Sequence, residues 1–173
     1  MSSNSPWKRY KTNPKTEQEG IWLDYSDFKI RVRRAGTSNP GYVASMRELA
    51  EKNAHRFKSN SITPEEDRQM MAEVWADHII VAWEGPTVPK DPDKPTGEKI
   101  TLPFLGPDDK PLPFNRKNVI FFLLDLPDLF IDIREAAAGV ALFRADRLEE
   151  QEKNSSKSSN TKSQASAKTA TKS

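Results

Sequence analysis

The chain reads as an α+β protein, mainly α, with an N-terminal β-hairpin packed on a bundle of about four helices, a proline-rich loop and a disordered C-terminal tail. Three observations predict this. Apolar residues alternate with period two over residues 20–34 and recur at three- and four-residue steps in four later segments. Most of the thirteen prolines fall within residues 86–113. Residues 154–173 contain only Ser, Thr, Lys, Ala, Asn and Gln, so they have no large apolar surface with which to offset the entropy of ordering.

At 173 residues, one domain is expected. We place it at 19–153, behind a flexible basic segment, 1–18. A mean hydropathy of −0.77 is polar for a chain packed throughout, and fits a packed middle with disordered ends. The absence of cysteine excludes disulfides, zinc–thiolate sites and cysteine nucleophiles. The N-terminus MSSNSPWKRY has no apolar run and does not read as a signal peptide. The longest apolar block, Val119–Leu124, falls far short of the ~20 residues of a membrane helix. A soluble, intracellular protein is the expectation.

The charge is unevenly spread. The first 19 residues carry four cations against two acids, and residues 154–173 four lysines and no acid, so the net +2 leaves 20–153 at −4. An acidic domain weakens a nucleic-acid reading.

The elements follow in order. Ile21, Leu23 and Tyr25 alternate with polar or exposed positions, as do Phe28, Ile30 and Val32, with Ser26-Asp27 between the runs. This predicts the hairpin 20–34, apolar on one face. Lys29, Arg31, Arg33 and Arg34 form a basic run that reads as a solvated strand face, with phosphate contact the alternative. Tyr42, Met46, Leu49, Ala50, Asn53 and Phe57 predict a helix over 42–57. Thr63, Pro64 and Glu66 form a capping box that opens a helix predicted to run over 64–84, ended by Gly85-Pro86. Within it, Glu73–Pro86 reads EVWADHIIVAWEGP, apolar almost all round, so this helix should be central.

The prolines of 86–113 forbid helix and interior strand. A long loop is expected, with Lys99–Leu102 and Leu112–Phe114 as short extended pieces about the turn Gly106-Pro107-Asp108-Asp109. Asp91, Asp93, Asp108 and Asp109 lack EF-hand spacing and its closing Glu, so they read as turn residues. Asn115 caps a helix over 116–124, and Asp125-Leu126-Pro127 separates it from a last helix over 127–150.

Candidates for chemistry are few. Asp77 and His78 are neighbours, about 100° apart on a helix, and do not face each other. His78 lies on the apolar stripe, where a core histidine with one hydrogen bond is the simplest reading. No serine or cysteine in the sequence is evidently tied to it, so no nucleophile–base pair can be named. No catalytic, metal or cofactor site is read, and the protein is not expected to be an enzyme. The large apolar residues of the two last helices exceed what one face of each should bury. Phe121, Phe122, Leu129, Phe130 and Phe143 are therefore the candidate partner-binding residues.

The order of segments carries a resemblance. The run EGIWLDY…FKIRVRRAG leads to NPGYVASMRELAEK, then to a helix ending WADHIIVAWEGP, then DDKPLPFNRKNVIFFLLDLPDLFIDI and the acidic LEEQEKNSS. This resembles, over roughly 19–155, the tail assembly chaperones of long-tailed bacteriophages. That family has a helix ending in W-[DE]-G, then a turn of the form D-G-x-x-[IL]-P-[FY]-[ST]-x-x-N. Here Trp83-Glu84-Gly85 and Leu112-Pro113-Phe114-Asn115…Asn118 match. Asn115 stands where Ser or Thr is common, and the loop 86–107 is longer than usual. The resemblance implies binding rather than catalysis. It implies that the protein coats the tape measure protein and keeps it soluble, with self-association along that rod allowed. It also implies recruitment of tail tube subunits, action in the host cytoplasm, and departure before the virion matures. Many members have a second form made by frameshifting, for which Lys153-Asn154 would be a natural place. Other phage structural or head–tail components, and a small nucleic-acid-binding module, are the alternatives.

Overall fold

The computed structural model describes residues 5–144. The predicted tail and the end of the predicted last helix, 145–150, lie outside the described residues. The chain begins with α1 (Pro6–Tyr10) and α2 (Pro14–Glu19), where a flexible segment was expected. Asn13 explains α2, since its side chain accepts from the backbone of Lys15 and Thr16 and Pro14 takes the first helical position. Glu17 in α2 is buried and paired with Arg34. A bridge between Thr12 and Arg144, with a bond from Asn13 N–H to the Phe143 carbonyl, ties this arm to the last described residues.

The hairpin expected over 20–34 is present as β1 (Ile21–Asp24) and β2 (Lys29–Val32), paired antiparallel, with Ser26 in the turn at φ 71°. Ile30 and Val32 face the core and are fully buried. After β2 come α3 (Pro40–Lys52), α4 (Ala54–Lys58) and α5 (Pro64–His78). The helix expected over 42–57 is thus broken at Asn53, whose side-chain amide donates back to the Leu49 carbonyl. The capping box on α5 is formed in both directions, between Thr63 and Glu66.

The expected long helix 64–84 is corrected. It ends at His78, and Ile80–Glu84 is a strand, β3, paired antiparallel with β2. The three-stranded sheet has the order β1-β2-β3. The run Ile79-Ile80-Val81 is β-branched and prefers a pleated surface. An open β2 edge beside it satisfies its backbone groups. Ile30 opposes Trp83 and Val32 opposes Ile80, so Val81 is the extra residue of a bulge.

The proline-rich loop holds a small hairpin, β4 (Thr87–Pro89) with β5 (Lys99–Thr101), and an isolated bridge Leu105–Pro111. The predicted extended piece at 99–102 therefore pairs backwards to 87–89, not across the Gly106 turn to 112–114. Two helices close the fold, α6 (Arg116–Asp125) and α7 (Pro127–Ala138). The last helix is shorter than expected: Gly139 is extended, and only one 3₁₀ turn, Ala141–Phe143, follows. α5 and α6 pack on each other and on the sheet through Trp75, Ile79, Val119 and Leu123, with Phe130, Ile133 and Ala137 of α7 completing the core. An Arg116–Asp77 ion pair, at 2.6 and 3.0 Å, ties α6 to α5.

Candidate partner-binding groove

The two halves of the motif noted in the sequence meet in space. The Trp83 indole N–H donates to the Leu112 carbonyl at 3.0 Å. Phe114 stands edge-on to Trp83 at 5.3 Å. Asn115 accepts from Asn118 N–H to cap α6, while the Asn118 amide donates to the Pro113 carbonyl at 2.8 Å. Gly85 N–H donates to the Leu102 carbonyl. A Cβ on Gly85 would lie 2.3 Å from the Pro103 carbonyl oxygen and 2.6 Å from that of Leu102. Glycine is required there because the loop passes against its backbone. The motif is thus a joint that hangs the loop 102–113 on the end of β3 and the start of α6.

Phe104, in that loop, is 7% exposed. It stacks on Trp83 at 4.6 Å and meets Phe28 and Phe122 edge-on at 5.6 and 5.5 Å. Beside it opens a groove of about 580 Å³ between the β1–β2 turn, the loop 103–107 and the C-terminal half of α6. Phe28, Phe104 and Phe122 line it, and Leu105, Phe121 and Leu126 reach it from exposed positions, each 44–48% exposed. Its remaining lining is Pro86, Pro103, Gly106, Pro107, Leu112 and two carboxylates, Asp27 and Asp125. Tyr25 steadies the turn wall: it stacks on Phe28 and its hydroxyl donates to Asp132 at 2.6 Å. Burial, then that bond and the charge of Asp132, raise the Tyr25 hydroxyl far above its ordinary range.

The residues singled out as partner-binding separate in the structure. Phe121 is exposed at the groove and Phe122 lies in its wall. Leu129 is half-buried against the core. Phe130 is 3% exposed, edge-on to Trp75, and Phe143 is fully buried at the N-terminal arm. Those two side chains are core, so the surplus of apolar residues in 119–143 is largely absorbed by packing. Three further groove residues, Phe28, Phe104 and Leu105, lie in two segments that the sequence did not mark for binding, while Leu126 belongs to the apolar surplus of the last helices. The proline-rich loop and the W-E-G/L-P-F-N motif pointed toward Phe104 and Leu105, and the period-two pattern of the hairpin toward Phe28.

His78 does have a serine partner, contrary to the reading of the sequence. Its Nε2 lies 2.7 Å from Ser45 Oγ, and the Asn39 amide donates to its carbonyl. Asp77 is engaged with Arg116. The half-buried Ser45–His78 contact joins α3 to the end of α5. The basic run is also engaged: Lys29 with Asp24, Arg31 with Glu19, Arg34 with Glu17, and Arg33 with the Gln18 carbonyl. Among the described residues no group of three or more His, Asp or Glu is placed to hold a metal, and no helix is long and apolar enough to cross a membrane.

With the fold and groove in view, comparison with known proteins establishes the origin. This is a protein of phage descent. Its residues 37–154 match the model of the YdaY prophage protein family, and the chain belongs to that family. The matched stretch holds α3 to α7, β3, the loop and both halves of the motif; β1, β2 and the turn wall of the groove precede it. No curated protein and no solved structure matches the chain.

Proposed function

We propose that this prophage protein is a tail assembly chaperone, which holds the tape measure protein soluble and presents it to tail tube subunits in the host cytoplasm. The observation that carries the reading is the exposed apolar groove built by the W-E-G and L-P-F-N joint, the same residues that resemble the tail chaperones. Membership of a prophage family supports it. A groove of this size, with apolar side chains at its rim, suits the apolar stripe of a helix. A long helical partner offers many such stripes, so weak contacts repeated along one rod give stable coating. The engaged arginines and the acidic middle of the chain favour a protein partner over nucleic acid.

Co-expression with the prophage's own tape measure protein tests it. The long protein should be soluble with the chaperone and insoluble alone. Phe121→Ser combined with Leu126→Ser should return it to the pellet while the variant keeps its melting temperature within a few degrees. A chain ended after Asn154 should retain the holding activity, because the removed residues have no large apolar side chain. A tape measure protein equally soluble without its partner would remove the chaperone reading.

A further inference from the structure

We infer that the segment held in the groove is cationic as well as apolar: its apolar anchors fill the space beside Phe104 and Phe122, and Lys or Arg beside them meets Asp27 and Asp125. This rests on the reading of the groove as the partner surface, and adds to it a choice among partners. The two carboxylates come from separate elements, the β1–β2 turn and the last residue of α6, and both line the groove. Both are exposed, and neither has an ion-pair partner among the described residues. Three other acids near these elements are engaged: Asp24 with Lys29, Asp132 with Tyr25, Asp77 with Arg116. The turn that closes the loop adds Asp108 and Asp109 against Lys110. An apolar groove with two unspent negative charges at its walls rejects acidic segments and steers basic ones, an effect on specificity and encounter more than on raw affinity. The chain's own C-terminal lysines do not answer this chemistry, since no large apolar residue lies among them.

The test uses the full chain and three fluorescein-labelled helical peptides of equal length, sharing one leucine stripe and carrying Lys, Gln or Glu at the flanking positions. Binding is read by anisotropy at low and moderate salt. The Lys peptide should bind about five-fold more tightly than the Gln peptide, and the Glu peptide more weakly still, with the spread narrowing as salt screens it. In Asp27→Asn/Asp125→Asn the three affinities should converge within about two-fold while the Gln peptide binds as before. Phe121→Ser with Leu126→Ser should weaken all three. Equal affinity of the Lys and Glu peptides for the wild type would overturn the charge inference and leave the groove reading standing. Three peptides that bind the Phe121/Leu126 variant as well as the wild type, or no binding at all, would overturn both. A concentration-dependent dimer abolished by Phe121→Ser would make a second copy the occupant and overturn the basic partner.

Discussion

Two residues show how differently a side chain and its absence are used. Trp75 is 2% exposed, edge-on to both Tyr42 and Phe130, and its indole N–H has no hydrogen-bond partner among the described residues. Its contribution is volume and apolar area, so Trp75→Ala should cost roughly 3–5 kcal/mol. A urea melt checks this, and a barely shifted midpoint would mean that Trp75 is not central. Gly85 works by having no side chain. Gly85→Ala drives a methyl into the carbonyls of Leu102 and Pro103, which belong to backbone and cannot rotate away. The expected cost is about 1–3 kcal/mol. Because the displaced segment is the groove's wall, the variant should also hold its partner less well than its residual stability explains. A Gly85→Ala protein with wild-type melting and holding would disprove the joint.

The element that matters most is the strand made from the end of an expected helix. In a helix through residue 84, Ile80 and Val81 would share one broad apolar surface and count alike. In the strand, Ile80 is 3% exposed and opposite Val32, whereas Val81 sits half-buried on a bulge. Ile80→Ala should therefore cost about 2–4 kcal/mol and Val81→Thr less than about 1 kcal/mol. Chemical denaturation of the two variants separates the alternatives, since equal losses would restore the helix. The same reasoning explains the loop. Pro89 is tolerated in β4 because that two-stranded hairpin has free edges, where a missing N–H costs nothing.

At the scale of the whole molecule, the N-terminal arm is a clasp. Glu17 of α2 reaches Arg34 beyond β2, and the arm's backbone bonds to residues 143 and 144 at the other end of the described chain. Burial by itself would raise the Glu17 carboxyl; bonds from Arg34 and Thr12, with the charge of Arg34, outweigh it and hold the group below its ordinary 4.5. A carboxyl with a depressed folded pKa contributes stability above its unfolded value and loses it as pH falls through the folded one. Glu17→Gln should thus cost about 3 kcal/mol near pH 7, where it leaves Arg34 without its counter-charge. The gap from the wild type should narrow as pH falls below the ordinary 4.5 and through the lower folded value, where the wild-type carboxyl takes up its proton. Urea midpoints at pH 7 and pH 3 measure this, and a gap independent of pH would mean that the pair is not coupled to folding.

What the sequence by itself determined was local. The period-two hairpin, the capping box at Thr63 and Glu66, the break at Leu126-Pro127 and the loop-forming prolines all follow from side chains acting on their own or neighbouring backbone. The two-part motif was visible as a motif too, though not what it builds. The tertiary structure decided the rest. Residues 80–84 became a strand because β2 offered an open edge. Phe130 and Phe143 became core while Phe121 stayed at the surface, because Trp75 of α5 packs on the first and the N-terminal arm bonds to the backbone of the second. The groove assembled from residues about 75–100 positions apart, Asp27 and Phe28 with Phe104 and Asp125. Periodicity reports which face of an element is apolar; it carries no information about which other element arrives to cover that face, and burial is settled only by that arrival.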